Sequence, residues 1–252
     1  MTTPAAHDPL TAHDDEHDHR HDHGHGDHAQ GGHQAHGPEH SHPDGMPRGL
    51  GPGDDDWDER YAASEQIWSG QPNGSLVSQV AHLEPGRALD VGCGEGADAV
   101  WLARLGWQVT GLDVSSVALE RAGQHAVDAG VEVQWVHDGF VEAALPAGSF
   151  DLVSAQYPVL KRTPGGDAER ALADAVAPGG TLLVVHHSPA DMHEARSHGW
   201  DPDDYVFPDD VARVLGADWE VEVDESRPRE VPLSGGGTHH TQDVVLRARR
   251  RA

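Results

Sequence analysis

From about residue 54 to the C-terminus, apolar positions follow two alternating periods, and before residue 54 they follow none. The stretch from Asp54 to Tyr61 predicts a helix with acids near its positive end. Leu76, Val77, Val80 and Leu83 share one helical face, with Ser75 placed to cap it and Pro85-Gly86 to end it. Short apolar runs then alternate with helical patterns. Strands are expected at 88–91, 107–112, 131–136, 150–155 and 181–185, with helices at 97–105, 115–129 and 167–176 between them. A helix at 208–215 and strands near 219–223 and 242–248 complete the set. Repeated βα alternation implies a Rossmann-like, doubly wound α/β sheet of seven strands, mostly parallel. Ligands in such sheets bind outside the carboxyl ends of the strands, where the strand order reverses.

One segment lies at that edge and carries candidate chemistry. Ala88-Leu89-Asp90-Val91 runs into Gly92-Cys93-Gly94-Glu95-Gly96, and a later apolar run ends in an acid at Asp113. Glycines allow close backbone approach, and amides at a helix start can cradle a polar ligand. That fits an adenosine-containing cofactor. A dinucleotide fingerprint needs G-x-G-x-x-G. Here Ala97 holds the third glycine position, and Gly96 comes one residue early. A glycine turn that only packs helix on sheet would explain the glycines but not Asp90 and Asp113. Cys93 is the only cysteine, which excludes an internal disulfide, and it reads as a small packing residue within the turn.

The D-x-G-x-G-x-G form resembles motif I of the class I S-adenosylmethionine (SAM)-dependent methyltransferases. The resemblance covers residues 57 to 250 and is nearest to small bacterial members of the tellurite-resistance and thiopurine-type group. It implies that Asp90, Gly92, Cys93, Gly94 and Gly96 adjoin the methionine part of SAM, and that Asp113, with Val114 beside it, binds the ribose. It places Asp138, Gly139 and Phe140 near adenine. Trp57-Asp58-Glu59-Arg60-Tyr61 resembles an N-terminal cover over the cofactor, with Trp68 and Asn73 facing the same pocket. The segment from Asp151 to Tyr157 lacks the N-P-P-Y signature of amino-group and adenine methyltransferases, which weakens those substrates.

Methyl transfer from a sulfonium is an in-line displacement, so the protein must align the nucleophile and, for OH or NH acceptors, remove a proton. Tyr157, His186 and His187, at expected strand ends, are the candidate catalytic groups. Ser188, His239 and His240 are further polar candidates. A thiol or metalloid acceptor would need little base help. Asp151 reads equally well as a partner for a neighbouring backbone. Trp101, Trp107, Trp135, Trp200 and Trp219 read as core, and the polar stretch 189–207 as a cover for the substrate.

Composition adds one more region. Twelve of the 21 histidines lie before residue 54, interspersed with acids, glycine and proline. Residues 1–53 are therefore expected to be a disordered tail, and 54–252 the folded domain. His17, His19, His21, His23 and His25, at x-H-x-H spacing, offer imidazoles to Zn²⁺, Ni²⁺, Cu²⁺ or Co²⁺ without forming a preorganised catalytic site. A metal-binding or storage protein with an idle SAM-binding domain is the competing function, and a nicotinamide oxidoreductase a third. The formal charge of −26, with 43 acids against 17 bases, argues against nucleic acid and anionic-membrane partners. Neither a secretory signal nor an apolar run of spanning length is evident, so a cytoplasmic monomer or homodimer acting on a small molecule is expected.

Overall fold

The computed structural model describes residues 54–192, 201–229 and 241–252. The histidine-rich tail, with His17 to His25, and Trp200, His239 and His240 lie outside the described residues. Seven strands form one sheet: β1 (Arg87–Val91), β2 (Gln108–Asp113), β3 (Gln134–His137), β4 (Phe150–Gln156), β5 (Val176–His187), β6 (Trp219–Pro228) and β7 (Gln242–Arg250). Their order is β3-β2-β1-β4-β5-β7-β6. The first five run parallel, and β7 is antiparallel to both β5 and β6. The expected fold class is the one observed.

The helices are α1 (Asp54–Ala62), α2 (Gly74–Val80), α3 (Ala97–Arg104), α4 (Ser116–Ala129), α5 (Asp167–Ala175) and α6 (Pro208–Val214). The pleat sorts strand residues onto two faces. Leu89, Val91, Val153, Ala155, Leu182, Val184 and Leu246 pack with Ala168 and Leu172 of α5 and Val211 of α6. Ala88, Leu152, Leu183, Val185 and Val245 pack with Leu76 and Val80 of α2 and Ala99 and Leu102 of α3. Burial on both faces is why the central strands read as nearly unbroken apolar runs.

Two local expectations are corrected. Asn73, not Ser75, precedes α2 as its cap residue, and Ser75 is a buried helical residue. Strand β5 starts at Val176 rather than 181, because Val176 already pairs with Phe150 before an irregularity, with Gly179 at φ 81°, leads to the pairing of Thr181 with Leu152. Helix α4 is capped by Ser115, whose hydroxyl accepts from the Ala118 amide at 3.1 Å. Gly130 ends the helix in the left-handed region. Trp107 and Trp219 are core residues, as their positions suggested.

Leu152 is fully buried in the centre of the sheet. Its replacement by Ala should cost about 3 kcal/mol in urea unfolding. The same change at Val221, 47% exposed on β6, should stay within about 0.5 kcal/mol.

Candidate cofactor and acceptor site

The strand order reverses between β1 and β4, whose neighbours β2 and β5 continue in opposite directions. The glycine turn leaves β1 at this point, as the general rule for open α/β sheets requires of a ligand site. Gly92, Gly94 and Gly96 all have positive φ, at 69°, 51° and 81°. A Cβ at Gly92 would meet nothing within 4 Å, so this first glycine borders open space. At Gly94 a Cβ would lie 2.8 Å from the Tyr61 hydroxyl and 3.3 Å from Trp68 Nε1. At Gly96 it would lie 2.8 Å from the Ala122 Cβ and 2.9 Å from the Trp135 ring. One glycine thus opens onto the site, while the other two admit an aromatic cover and helix α4.

Asp113 ends β2 and points back at the turn. Its Oδ2 accepts from the Gly94 amide at 2.8 Å and its Oδ1 from the Ser115 amide at 2.9 Å. Burial raises its pKa, and those backbone amides oppose the rise. Asp90 is 2% exposed, and its Oδ2 has no hydrogen-bond partner. Burial, then the charges of Asp98 and Asp113, push its pKa well up, against one hydrogen bond from the Ala99 amide. Burial, Asp90 and Asp113 also push the Cys93 thiol up, so Cys93 stays a protonated packing residue rather than a nucleophile.

A cover closes over the turn from the N-terminal side. Trp68 Nε1 donates to the Tyr61 hydroxyl at 2.9 Å. Buried Glu95 accepts from the Ile67 and Trp68 amides at 3.3 and 3.1 Å, and Arg121 Nη1 donates to it at 2.8 Å. Arg121 also donates to the carbonyls of Tyr61 and Ser64. Asp98 accepts from the Asn73 backbone and side-chain amides, both at 2.7 Å. Asp58 accepts from the Ser115 and Ser116 hydroxyls and the Val117 amide at the start of α4. The Ser115 hydroxyl is the main cause of its lowered pKa. Trp68 remains 41% exposed, so its ring forms an outer wall of the turn.

On the third strand's side, His137 Nε2 lies 2.9 Å from the Val114 carbonyl. Asp138 is exposed and its Oδ1 accepts from the Gly139 amide at 2.8 Å. Phe140, expected beside adenine, is buried in the core cluster with Leu112 and Leu89.

A second group gathers at the ends of β4 and β5. Tyr157 follows β4 with φ of 52°, an unusual conformation for a large side chain and one that marks functional sites. Its hydroxyl donates to Asp243 Oδ2 at 2.9 Å, and Ser75 Oγ donates to the same oxygen at 3.3 Å. The Tyr157 ring stacks on His187 with centroids 4.3 Å apart. His187 Nδ1 lies 3.8 Å from Asp243 Oδ1. Arg229 sits 5.0 Å over the Tyr157 ring. Burial raises the Tyr157 pKa, opposed by Arg229 and reinforced by Asp243, so its hydroxyl donates rather than acts as a base. His186 points to the other face of β5, 4.2 Å from the Phe207 ring and 3% exposed. Tyr157 and His187 are therefore together, and His186 is apart from them. Asp151, as one of its two readings allowed, accepts from the Arg87 amide at 2.8 Å.

Residues 88–180 match a family described as a methyltransferase domain. Over that segment, which holds the glycine turn and Asp113, the chain is similar to methyltransferases. A ubiquinone biosynthesis O-methyltransferase of Escherichia coli is 38% identical over 112 residues, covering 44% of this chain and 46% of that one. One from Xanthomonas axonopodis is 39% identical over 116 residues, covering 44% and 48%. The chain thus matches under half the length of these curated relatives. Among solved structures, one described by the conversion of a disulfide bond into a thioacetal group during echinomycin biosynthesis has a TM-score of 0.61 at 23% identity, covering 78% of this chain and 92% of that one. TehB from Haemophilus influenzae has a TM-score of 0.53 at 16% identity, covering 79% and 67%. These structures establish the fold.

Glu95 and Asp243 were not candidates from sequence. Glu95 stood inside the motif as a variable position, and Asp243 opened a strand with no motif of its own. The period-2 pattern of β7 beside the polar end of β5 was the one signal that could have paired Asp243 with His187.

The raised pKa of Asp90 has a stability consequence with a definite sign. Its folded pKa exceeds the unfolded one, so its contribution is fully present below about pH 3.8 and is lost as pH rises through the folded pKa. Asp90→Asn keeps an oxygen for the Ala99 amide and removes the buried charge. Thermal unfolding should show the variant more stable than wild type at pH 8, with the gap closing towards pH 4. Each 1 kcal/mol would read as roughly 2–4 °C in Tm. A variant less stable at pH 8 would contradict this assignment.

Proposed function

We propose that this chain transfers a methyl group from SAM to a small-molecule acceptor. The observation that carries the reading is the pairing of a glycine turn opening at Gly92 with two buried carboxylates, one of which, Asp90, has an oxygen without a partner. That donor set suits a ligand that brings both a cationic group and hydroxyls, as SAM does. When bound, SAM supplies a methyl group already activated by its sulfonium. Asp113 would hold the ribose through lone pairs not used by the Gly94 and Ser115 amides. Asp90 and the open edge at Gly92 would receive the methionine end. Tyr61 and Trp68 would exclude water from the turn, held there by Glu95 and Arg121.

The acceptor would lie beyond the ends of β4 and β5, next to the turn because Val91, Ala155 and Val184 are consecutive neighbours across the sheet. Tyr157 and His187 present polar groups there. Relatives described as O-methyltransferases support an oxygen acceptor over the thiol or metalloid alternative. Among the described residues, no helix is long and apolar enough to cross a membrane.

Calorimetric titration of S-adenosylhomocysteine into the full chain should give micromolar binding. Asp113→Asn should weaken it about 10- to 100-fold, the loss of charge-assisted bonds to two hydroxyls. Absence of binding to the folded wild-type chain would overturn the reading.

We propose separately that residues 1–53 bind late-transition divalent ions. The support is chemical: closely spaced imidazoles with interspersed carboxylates. Among the described residues, no cluster of three or more metal-ligating side chains exists. Titration with Ni²⁺ should therefore show binding by the full chain that is lost on deleting residues 1–53. Methyl transfer to a metal-free acceptor should survive that deletion. Equal Ni²⁺ uptake by both forms would refute the assignment.

A further inference from the structure

Both carboxylates of the proposed cofactor site are enclosed. Asp113 is 8% exposed and Asp90 2%. The Tyr61 hydroxyl stands 2.8 Å from where a Gly94 Cβ would lie, and it is near enough to Asp113 for that charge to act on it. A ligand that bonds Asp113 therefore requires a neighbouring element to move. The strands cannot supply the movement, because Leu89, Val91 and Leu112 of β1 and β2 are packed in the main apolar cluster. The cover is built differently. Trp57, Tyr61, Ile67 and Trp68 stand outside the apolar clusters on the two faces of the sheet. Residues 62–66 and 68–71 are exposed. Polar bonds hold this segment down, and three of them converge on the buried Glu95 carboxylate, from the Ile67 amide, the Trp68 amide and Arg121 Nη1. Arg121 Nη2 adds bonds to the carbonyls of Tyr61 and Ser64 at 2.7 and 2.6 Å. Past Trp68 the chain turns at Gly70, with φ of 70°, and reaches Asn73, fixed to Asp98 by two bonds of 2.7 Å.

We propose that Glu95 is a positioning residue that latches a gate: residues 61–70 swing out about Gly70 to admit the cofactor, and Glu95 with Arg121 locks them back over it. The inference rests on the methyltransferase reading and deepens it, by giving the cofactor its way in. A segment with few buried apolar contacts opens at a free energy well below that of the whole fold. The tie that Glu95 makes is strong, because charge-assisted bonds exceed neutral ones. It is also local, because breaking it removes no residue from the packed faces of the sheet. Asn73 gives the swing its fixed end, with Leu76 and Val80 of α2 buried behind it. Glu95 lies between Gly94 and Gly96, so the residue that locks the cover belongs to the turn that meets the ligand. Opening there uncovers Asp113 and the Gly94 amide together, while the Gly92 edge is open already. A glutamate that only braced the fold would have its effect in the strands, and one that latches a gate has its effect in residues 61–73.

The test is amide hydrogen exchange of the full chain by mass spectrometry, free and saturated with S-adenosylhomocysteine. In the free wild type, residues 61–73 should exchange roughly tenfold or more faster than β1 and β4, and S-adenosylhomocysteine should slow them. Glu95→Gln should speed exchange across residues 61–73 by about tenfold and leave β1 and β4 unchanged. In stopped-flow fluorescence the same variant should release S-adenosylhomocysteine faster. Arg121→Met, which cuts the latch from α4, should act in the same direction. A cover that exchanges in step with β1 in the wild type overturns the proposal. So does a Glu95→Gln chain in which β1 and β4 lose protection together with the cover, or one whose cover loosens while the release rate stays the same. If Glu95→Gln does not fold, the wild type and Arg121→Met decide by the same comparison. A chain whose cover opens locally but which binds no S-adenosylhomocysteine would instead count against the methyltransferase reading.

Discussion

The carboxylate of Asp113 joins the end of β2 to the turn that leaves β1, and the site is arranged around that bond. A strand–turn–helix connection with three positive-φ residues has little conformational preference of its own, since glycine gives up more chain entropy on folding than any other residue. The bond from the Gly94 amide fixes the middle of the turn. The bond from the Ser115 amide fixes the approach to α4. One side chain therefore sets the distance between two βα connections that must face a common ligand. Tyr61 and Trp68 fit over Gly94 only because that position has no side chain and is held at a constant depth.

The same construction concentrates negative charge. Asp90, Asp98 and Asp113 are all buried, and burial and mutual repulsion raise the pKa of Asp90. Asp98 is supported by both amide groups of Asn73, and Asp113 by backbone amides, whereas Asp90 has one bond where two or three would fit. An incompletely satisfied buried carboxylate costs free energy. A fold that retains one at its ligand edge places that cost where a cationic ligand group would offset it. The structural role of a glycine turn alone supplies no reason for Asp90.

Much of this was legible in the chain because the central strands and α4 carry strong local signals. Phe150 to Ala155 is apolar apart from Asp151 and Ser154, and the apolar period of α4 placed a helix at 115–129. The motif residues followed from glycine spacing. What was not legible depends on distant contacts. Ser75 looked like a cap because serine commonly is one, yet its partner Asp243 is 168 positions away. The strand expected to begin at 181 begins at Val176, because Val176 already pairs with Phe150 of β4. Phe140 has the right chemistry for an adenine wall, and its packing with Leu112 and Val136 comes only from the fold. His186 and His187 are equivalent in sequence. The pleat separates them, and the ring contacts then decide which one faces the site.

Helix α2 is what makes the two halves of the site one object. Its cap residue, Asn73, holds Asp98 on α3, and two residues later Ser75 reaches Asp243 on β7. A seven-residue helix has little stability of its own, and here it is held by Leu76 and Val80 in the core and by a carboxylate at each side of its first turn. Displacing its start would disturb the support of the glycine turn and the orientation of Tyr157 together. The carboxylate on the turn side and the carboxylate on the acceptor side thus share one short helix. The relative position of a methyl donor and its acceptor is the quantity on which an in-line transfer depends most steeply. In the proposed site the carboxylates on the two sides, Asp98 and Asp243, are carried by α3 and β7.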